Sequence, residues 1–398
     1  MPKEYLFPKD FLWGTATSAY QVEGNNTNTD WWEWEQNKMK DDKYPLEPSG
    51  VACDSYNRYE EDFDLCQKFN NNSVRISIEW ARIEPKDGEF NASEIEHYKK
   101  VIAAAKKRNL KVFVTLYHFT LPLWFVKKGG WQSFKSPFYF SRYTKKCAEE
   151  FGSSIDAYLT INEPQVLTLM GYVKGMWPPN KKNYFLSFLV QINLMRAHIE
   201  AFKAIKSVNF KYTVGIVKQI VWYQTLGKKF NFLDFFTVKL LNFINNEFFL
   251  LPITKNLDLI GLNYYFTQNI HNFKVVNPNN FNSDLGWWIN GEGLKNILLN
   301  LKKYNLPIYV NENGLADAKD TRREKFLKQM ITACGQALER GVSLKGYFHW
   351  SLLDNFEWHE GYWPRFGLVE VNRKTLNRTP RKSFYYYANI CKQNKLKI

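Results

Sequence analysis

Apolar residues in this chain fall into short runs, and most runs lack the alternation of a strand with one wet face. Pro307 leads into Ile308-Tyr-Val310, and the run stops at Asn311-Glu312-Asn313-Gly314. Three apolar residues behind a proline predict a strand buried on both faces. A charge at the end of such a strand is costly unless a neighbour uses it. Comparable runs occur at 11–24, 74–78, 111–118, 156–163, 213–217, 258–265 and 345–350.

Helical spacing fills the intervals. Tyr56, Tyr59, Phe63 and Cys66 share one face, and Ile95, Tyr98 and Ile102 share another behind an Asn91/Glu94 capping box. Helices are predicted near 139–151 and 185–206. Thr321 and Glu324 predict a second capping box before Phe326, Met330, Cys334 and Ala337, and Gly341 marks the stop. Between 220 and 256, Phe230, Phe232, Phe235, Phe236, Leu240, Leu241, Phe243, Phe248 and Phe249 crowd together. They predict a helix at about 231–246 that is apolar nearly all round, packed under loops, with a membrane or partner surface as the alternative.

Strands alternating with helices imply a parallel sheet, and eight units imply a closed α/β barrel of the (β/α)8 TIM type, one domain over 1–398. An open doubly wound sheet is the alternative, but no GxGxxG or phosphate loop opens a helix. Links from helix to strand are short, as at 109–110 and 341–344. Links from strand to helix are long: 24–53, 119–138, 164–184, 266–290 and 351–379. Barrel enzymes build their sites from that second set, at the carboxyl ends of the strands.

Composition narrows the function. Aromatics are 17% of 398 residues, enough to line a sugar site as well as a core. Net charge is +15, but no block of five basic residues occurs, so a solvated basic surface is expected and no nucleic-acid partner. Five cysteines without a CxxC pair read as reduced thiols. No secretory leader and no run of 18 uncharged apolar residues is visible, so a cytoplasmic protein with no membrane partner is expected. Six histidines without HExxH or paired spacing suggest no metal and no cofactor.

The strand ends collect chemistry: Gln21, Arg75, His118, Asn162 with Glu163, Asn263 with Tyr265, Glu312 and Trp350. Taken singly they have ordinary readings. His118 fits a hydrogen-bonded core histidine, and Gln21 or Asn263 fits a turn cap. A barrel brings them to one mouth. Two carboxylates in a polar and aromatic mouth are what glycoside hydrolysis needs. Arg75 is the candidate to hold one ionised, while burial and the neighbouring charge raise the pKa of the other.

The chain resembles glycoside hydrolase family 1, the β-glucosidase and β-galactosidase family, over nearly its whole length. Thr160-Ile-Asn-Glu-Pro164 resembles that family's acid/base motif, and Tyr309-Val-Asn-Glu-Asn-Gly314 its nucleophile motif. The 11–24 stretch is similar to its N-terminal signature. Trp350-Ser-Leu-Leu-Asp-Asn-Phe-Glu-Trp358, with Gly361-Tyr362 and Arg365-Phe-Gly367, is similar to its C-terminal one. The resemblance implies a retaining β-glycosidase acting on small neutral β-glycosides, with Glu163 as acid/base and Glu312 as nucleophile. It implies that Gln21, His118, Asn162 and Glu357 bind sugar hydroxyls, that Trp350 is the stacking floor and that Trp358 contacts the sugar. Tyr265 would hydrogen-bond the nucleophile, with Arg75 and Asn263 beside it, and Trp287 resembles the leaving-group-side tryptophan.

Departures matter too. Phe119 stands where many members have Trp, which removes an N–H donor. The chain is short between Glu163 and Asn263, where the leaving-group side is built. Members acting on 6-phosphosugars replace the Glu357 region, so a negative Glu357 here favours neutral sugars. Glu163 argues against the plant thioglucosidases, which carry Gln there. A transglycosidase, or a silent sugar-binding barrel, keeps the same scaffold.

Overall fold

The structure is a computed structural model that describes residues 3–38, 47–226 and 231–398. Phe230 and part of the 24–53 link lie outside the described residues. The eight apolar runs form strands β1 (Leu12–Ala16), β2 (Ser73–Ser77), β3 (Lys111–Tyr117), β4 (Ala157–Asn162), β5 (Val214–Gln219), β6 (Leu259–Asn263), β7 (Ile308–Asn313) and β8 (Leu344–Trp350). They pair in parallel in chain order, and β8 closes on β1 through pairs such as Trp350 with Ala16.

Burial on both faces explains the missing alternation. Phe113, Leu159, Val217, Leu259 and Phe348 fill the barrel interior. Their neighbours Val112, Val114, Tyr158, Ile216 and Ile260 face outward into the layer under the helices. That outer layer is α1 (Ser55–Lys68), α2 (Ala92–Lys107), α3 (Ser136–Phe151), α4 (Tyr184–Val208), α5 (Phe232–Asn242), α6 (Gly291–Leu301), α7 (Arg323–Glu339) and α8 (Lys382–Gln393).

Both capping boxes differ from expectation. Asn91 does cap α2, accepting from the Ser93 and Glu94 amides at 3.0 and 3.3 Å. Glu94 does not complete the box, because its carboxylate accepts the Tyr56 hydroxyl at 3.1 Å instead. At α7 Thr321 is not the cap. Asp317, a stronger acceptor delivered from the preceding loop, takes the Arg322 and Arg323 amides at 2.7 and 3.2 Å.

The 220–256 stretch holds more than a helix. Trp222–Thr225 is a strand that pairs with Thr267–His271, which also pairs with Lys274–Val275, so a small sheet sits beside the mouth. The helix α5 ends at Asn242 and continues as a π turn over Phe243–Glu247. It is not packed under loops: Phe232 and Phe236 are 62% and 60% exposed. Its other face turns inward, burying Asp234 against the small sheet.

Candidate active site

A pocket of about 400 Å³ opens at the carboxyl ends of the strands. Gln21, His118, Asn162, Glu163, Tyr265, Trp287, Glu312, Trp350, Glu357 and Trp358 all line it. Arg75 and Asn263 stand directly behind, bonded to lining residues. The twelve residues singled out from the sequence therefore meet at one place.

Glu312 ends the run that opened on Pro307. Its side chain is buried and its Oε1 forms an ion pair with Arg75 Nη1. Its Oε2 accepts the Tyr265 hydroxyl at 2.7 Å. Each side-chain nitrogen of Arg75 is engaged: beside the Nη1 ion pair, Nε donates to Thr115 Oγ1 at 2.9 Å and Nη2 to Asn162 Oδ1 at 2.8 Å. A guanidinium held by three partners presents a fixed donor to the carboxylate.

Glu163 follows β4 with left-handed backbone, φ +43°, and its amide donates to Val217 O at 2.8 Å. That kink turns the carboxylate into the pocket, where Oε1 accepts from Asn263 Nδ2 at 2.7 Å. Among the described residues no arginine pairs with it. Burial first, then the charge of Glu312, pushes Glu163 up to about 8. The two carboxyls thus sit in opposite settings: one clamped by a cation and a phenol, the other desolvated with one amide donor.

Asn162 orients its neighbours. Its Oδ1 accepts from Arg75 and, at 3.3 Å, from Asn263, so its Nδ2 is left to donate to His118 Nε2 at 3.2 Å. His118 is then an acceptor at Nε2, which leaves the proton on Nδ1. Burial and the Arg75 charge keep the ring neutral. His118 Nδ1 has no protein partner among the described residues, a free donor at the pocket wall. His118 is thus a lining residue and not a saturated core histidine.

The opposite wall is a polar fork. Gln21 donates from Nε2 to Phe356 O at 2.9 Å and to Glu357 Oε2 at 3.4 Å, and accepts the Ser18 hydroxyl at 2.6 Å. Among the described residues Glu357 has no ion-pair partner. Burial, with Glu312 and Glu163 nearby, pushes it up to about 8. The standing negative charge expected from sequence is therefore present only above that pH, which corrects the argument that charge alone repels phosphate.

Aromatic rings close the rest. Trp350 lies nearly parallel to His118 with centroids 6.0 Å apart. Trp358 packs against Phe119 and Trp177 at 5.2 and 5.7 Å. Phe119 holds φ +73°, so its place is fixed by the turn as well as by packing. Trp287 meets Tyr265 at 5.5 Å and Phe266 at 5.4 Å. Sequence reasoning missed Trp177 and the apolar outer wall of Leu169, Met170 and Leu285. A tryptophan inside the 164–184 link, directly after the Glu163 strand end, was the available signal. Among the described residues no group of three or more His, Cys, Asp or Glu is placed to hold a metal ion.

Known proteins resemble this chain in sequence and fold. The sequence profile of glycosyl hydrolase family 1 matches residues 3–255 and 237–396. β-Glucosidase A of Thermotoga maritima is 32% identical, the match spanning 98% of this chain and 98% of that protein. Among solved structures, the β-glycosidase from Pyrococcus horikoshii superposes with a TM-score of 0.92 at 34% identity, covering 100% of this chain and 97% of that one. The T. maritima β-glucosidase in complex with glucoimidazole superposes with a TM-score of 0.89 at 31% identity, covering 98% and 99%. A closed parallel barrel, paired strand-end glutamates and a full-length family match lead to one statement: this chain belongs to glycosyl hydrolase family 1 and is a glycoside hydrolase.

Proposed function

We propose that the chain removes terminal β-linked sugars, β-D-glucosyl residues foremost, from small neutral glycosides, with net retention and by double displacement. The observation that carries this reading is the asymmetry of the two buried carboxyls. Glu312, paired with Arg75 and hydrogen-bonded by Tyr265, is the nucleophile and attacks the anomeric carbon. Glu163 holds a proton at neutral pH and delivers it to the leaving oxygen. The glycosyl ester then removes the charge of Glu312, and the pKa of Glu163 falls because like-charge repulsion is gone. Glu163 next takes a proton from water as that water attacks the anomeric carbon, the bond to Glu312 breaks to restore its carboxylate, and the sugar leaves with its original configuration.

The remaining lining residues bind. Gln21 and Glu357 form a fork for adjacent hydroxyls, His118 offers a free Nδ1–H, and Trp350 supplies a flat apolar face. Trp358 contacts the same sugar, and Trp287 stands on the leaving-group side. A transglycosidase would use the same residues and differ in water access. Five free, buried cysteines support a reducing, cytoplasmic setting.

A panel of nitrophenyl β-glycosides tests the activity, and Glu312→Ala tests the assignment. The variant should lose turnover of every substrate, with azide restoring it only as an inverted glycosyl azide. Undiminished turnover in Glu312→Ala, or a retained azide product, would move the nucleophile elsewhere.

A further inference from the structure

The outward face of α5 has the wrong polarity for a barrel helix. Phe232, Phe236, Leu240 and Phe243 recur every three or four residues, on one side, and are 62%, 60%, 55% and 46% exposed. The patch extends past the helix. Phe243 meets Phe248 at 6.2 Å, and Phe248 meets Phe188 of α4 at 5.9 Å. Phe188 is itself 50% exposed, and Tyr184 at the start of α4 is 79% exposed.

The helix is held in this orientation by polar contacts on its other side. Asn231 caps it through the Leu233 and Asp234 amides. Asp234 accepts from His271 Nδ1 at 2.9 Å and from the Asn272 amide at 2.7 Å. Just beyond it, Asn246 donates to Val221 O at 2.8 Å. Turning α5 over would bury its phenylalanines only by stripping these groups of partners.

Charge selects the occupant. The exposed charged residues of 181–188 and 231–255 are Lys181, Lys182, Lys239 and Lys255. The acids of the same stretches are spent: Asp234 is buried, and Glu247 pairs with Lys303. A second copy would bring the same lysines and the same +15 net charge to the contact. An anionic surface complements both. Exposed apolar side chains interspersed along the chain with lysines are the make-up of a helix that lies in a membrane interface. No described helix is long and apolar enough to cross one.

We propose that the face formed by α5 and the start of α4 docks the protein peripherally on an anionic lipid bilayer. This refines the sequence expectation of no membrane partner: docking on the surface needs no spanning segment. The proposal is independent of the sugar chemistry, since none of these residues lines the pocket.

Co-sedimentation of the full chain with vesicles tests it. The protein should pellet with phosphatidylglycerol–phosphatidylcholine vesicles at low salt, and not with phosphatidylcholine alone. Phe232→Ser with Phe236→Ser should weaken vesicle binding by about tenfold while leaving turnover of a nitrophenyl β-glucoside unchanged. Lys181→Glu with Lys182→Glu leaves the aromatic face intact and should weaken binding at low salt only. No pelleting with anionic vesicles, or equal pelleting by wild type and both variants, would overturn the proposal. So would a wild-type dimer in sedimentation velocity that Phe232→Ser with Phe236→Ser turns to monomer, which would give the face to a second copy.

Discussion

Arg75 and Glu312 are 237 positions apart in the chain and form an ion pair whose side chains are 0% and 4% exposed. Burying two charges costs roughly several kcal/mol per ion, and the attraction within the pair does not offset that without further hydrogen bonds. The surrounding bonds do the rest: the arginine donates to Thr115 and Asn162, and Tyr265 donates to the carboxylate. Such a cluster fits a site that needs a charge in a fixed place more than a fold that needs stability.

Replacing Arg75 by Met should therefore hurt twice. It leaves a buried carboxylate without its cation, which costs about 3–5 kcal/mol of stability. It also releases the orientation of Glu312 and Asn162, and kcat/KM for a nitrophenyl β-glucoside should fall by about 100-fold or more. Chemical denaturation and steady-state kinetics on the same preparation measure both. A variant as stable as wild type would show that the pair is not closed from water.

With Glu163 as the proposed acid, its carboxyl should set the alkaline limb of activity. Its carboxyl is pushed up to about 8, and the protonated form is the active acid in the first step. As pH rises through that value the proton is lost, and kcat/KM should fall about tenfold per unit beyond it. Glu357 is also pushed up to about 8, so one control is needed. Glu163→Ala acting on dinitrophenyl β-glucoside, whose leaving group needs no proton, should lose the limb. A limb near 8 that survives in this variant belongs to Glu357.

Stability should fall between about pH 6.5 and 8. Asp30, Glu163 and Glu357 are pushed up to about 8 and Glu79 to about 7, chiefly by burial. An unfolded chain has lost these protons by about pH 5. The folded state thus binds more protons in this window, and its stability declines as pH rises. Lys218 opposes with at most one proton, because burial disfavours its ammonium. Histidines held below their usual range act below about pH 6.5, where the unfolded chain takes protons the fold refuses. Thermal unfolding at constant ionic strength should show Tm lower by roughly 3 °C at pH 8 than at pH 6.5. A Tm that rises across this window contradicts the assignment.

Gly314 couples the strand that carries Glu312 to Trp350. A Cβ placed there would lie 1.8 Å from Trp350 O. Gly314→Ala must displace β8 at the point where Trp350 faces the pocket. The expected result is a loss of at least about 2 kcal/mol and a raised KM. A variant with wild-type KM and Tm would mean that β8 yields without moving Trp350.

The barrel and its mouth were legible because burial on both faces leaves uninterrupted apolar runs, and because polar residues stop those runs. Glu163 and Glu312 stand out at strand ends for that reason, and eight runs dictate closure. Asp317 was not legible as a cap, since its distance from Arg323 depends on a loop conformation that spacing does not encode. The strand at Trp222–Thr225 was hidden by the aromatic density around it. The direction in which α5 faces was hidden as well: a helix apolar nearly all round carries no amphipathic signal, and only the polar anchors Asp234 and Asn246 decide which side turns in. Trp177 reaches the pocket through a link whose path, with a helix and a π turn over Pro164–Val173, no local pattern fixes.

The proposed roles of Glu312 as nucleophile and Glu163 as acid and base predict net retention, and the first-formed product decides it. Proton NMR of a nitrophenyl β-glucoside during early turnover, before mutarotation, reads the anomer directly. The account predicts β-glucose first, with the α-anomer growing only at the mutarotation rate. Release of α-glucose first would contradict it, because inversion requires Glu312 to activate water and forms no glycosyl ester.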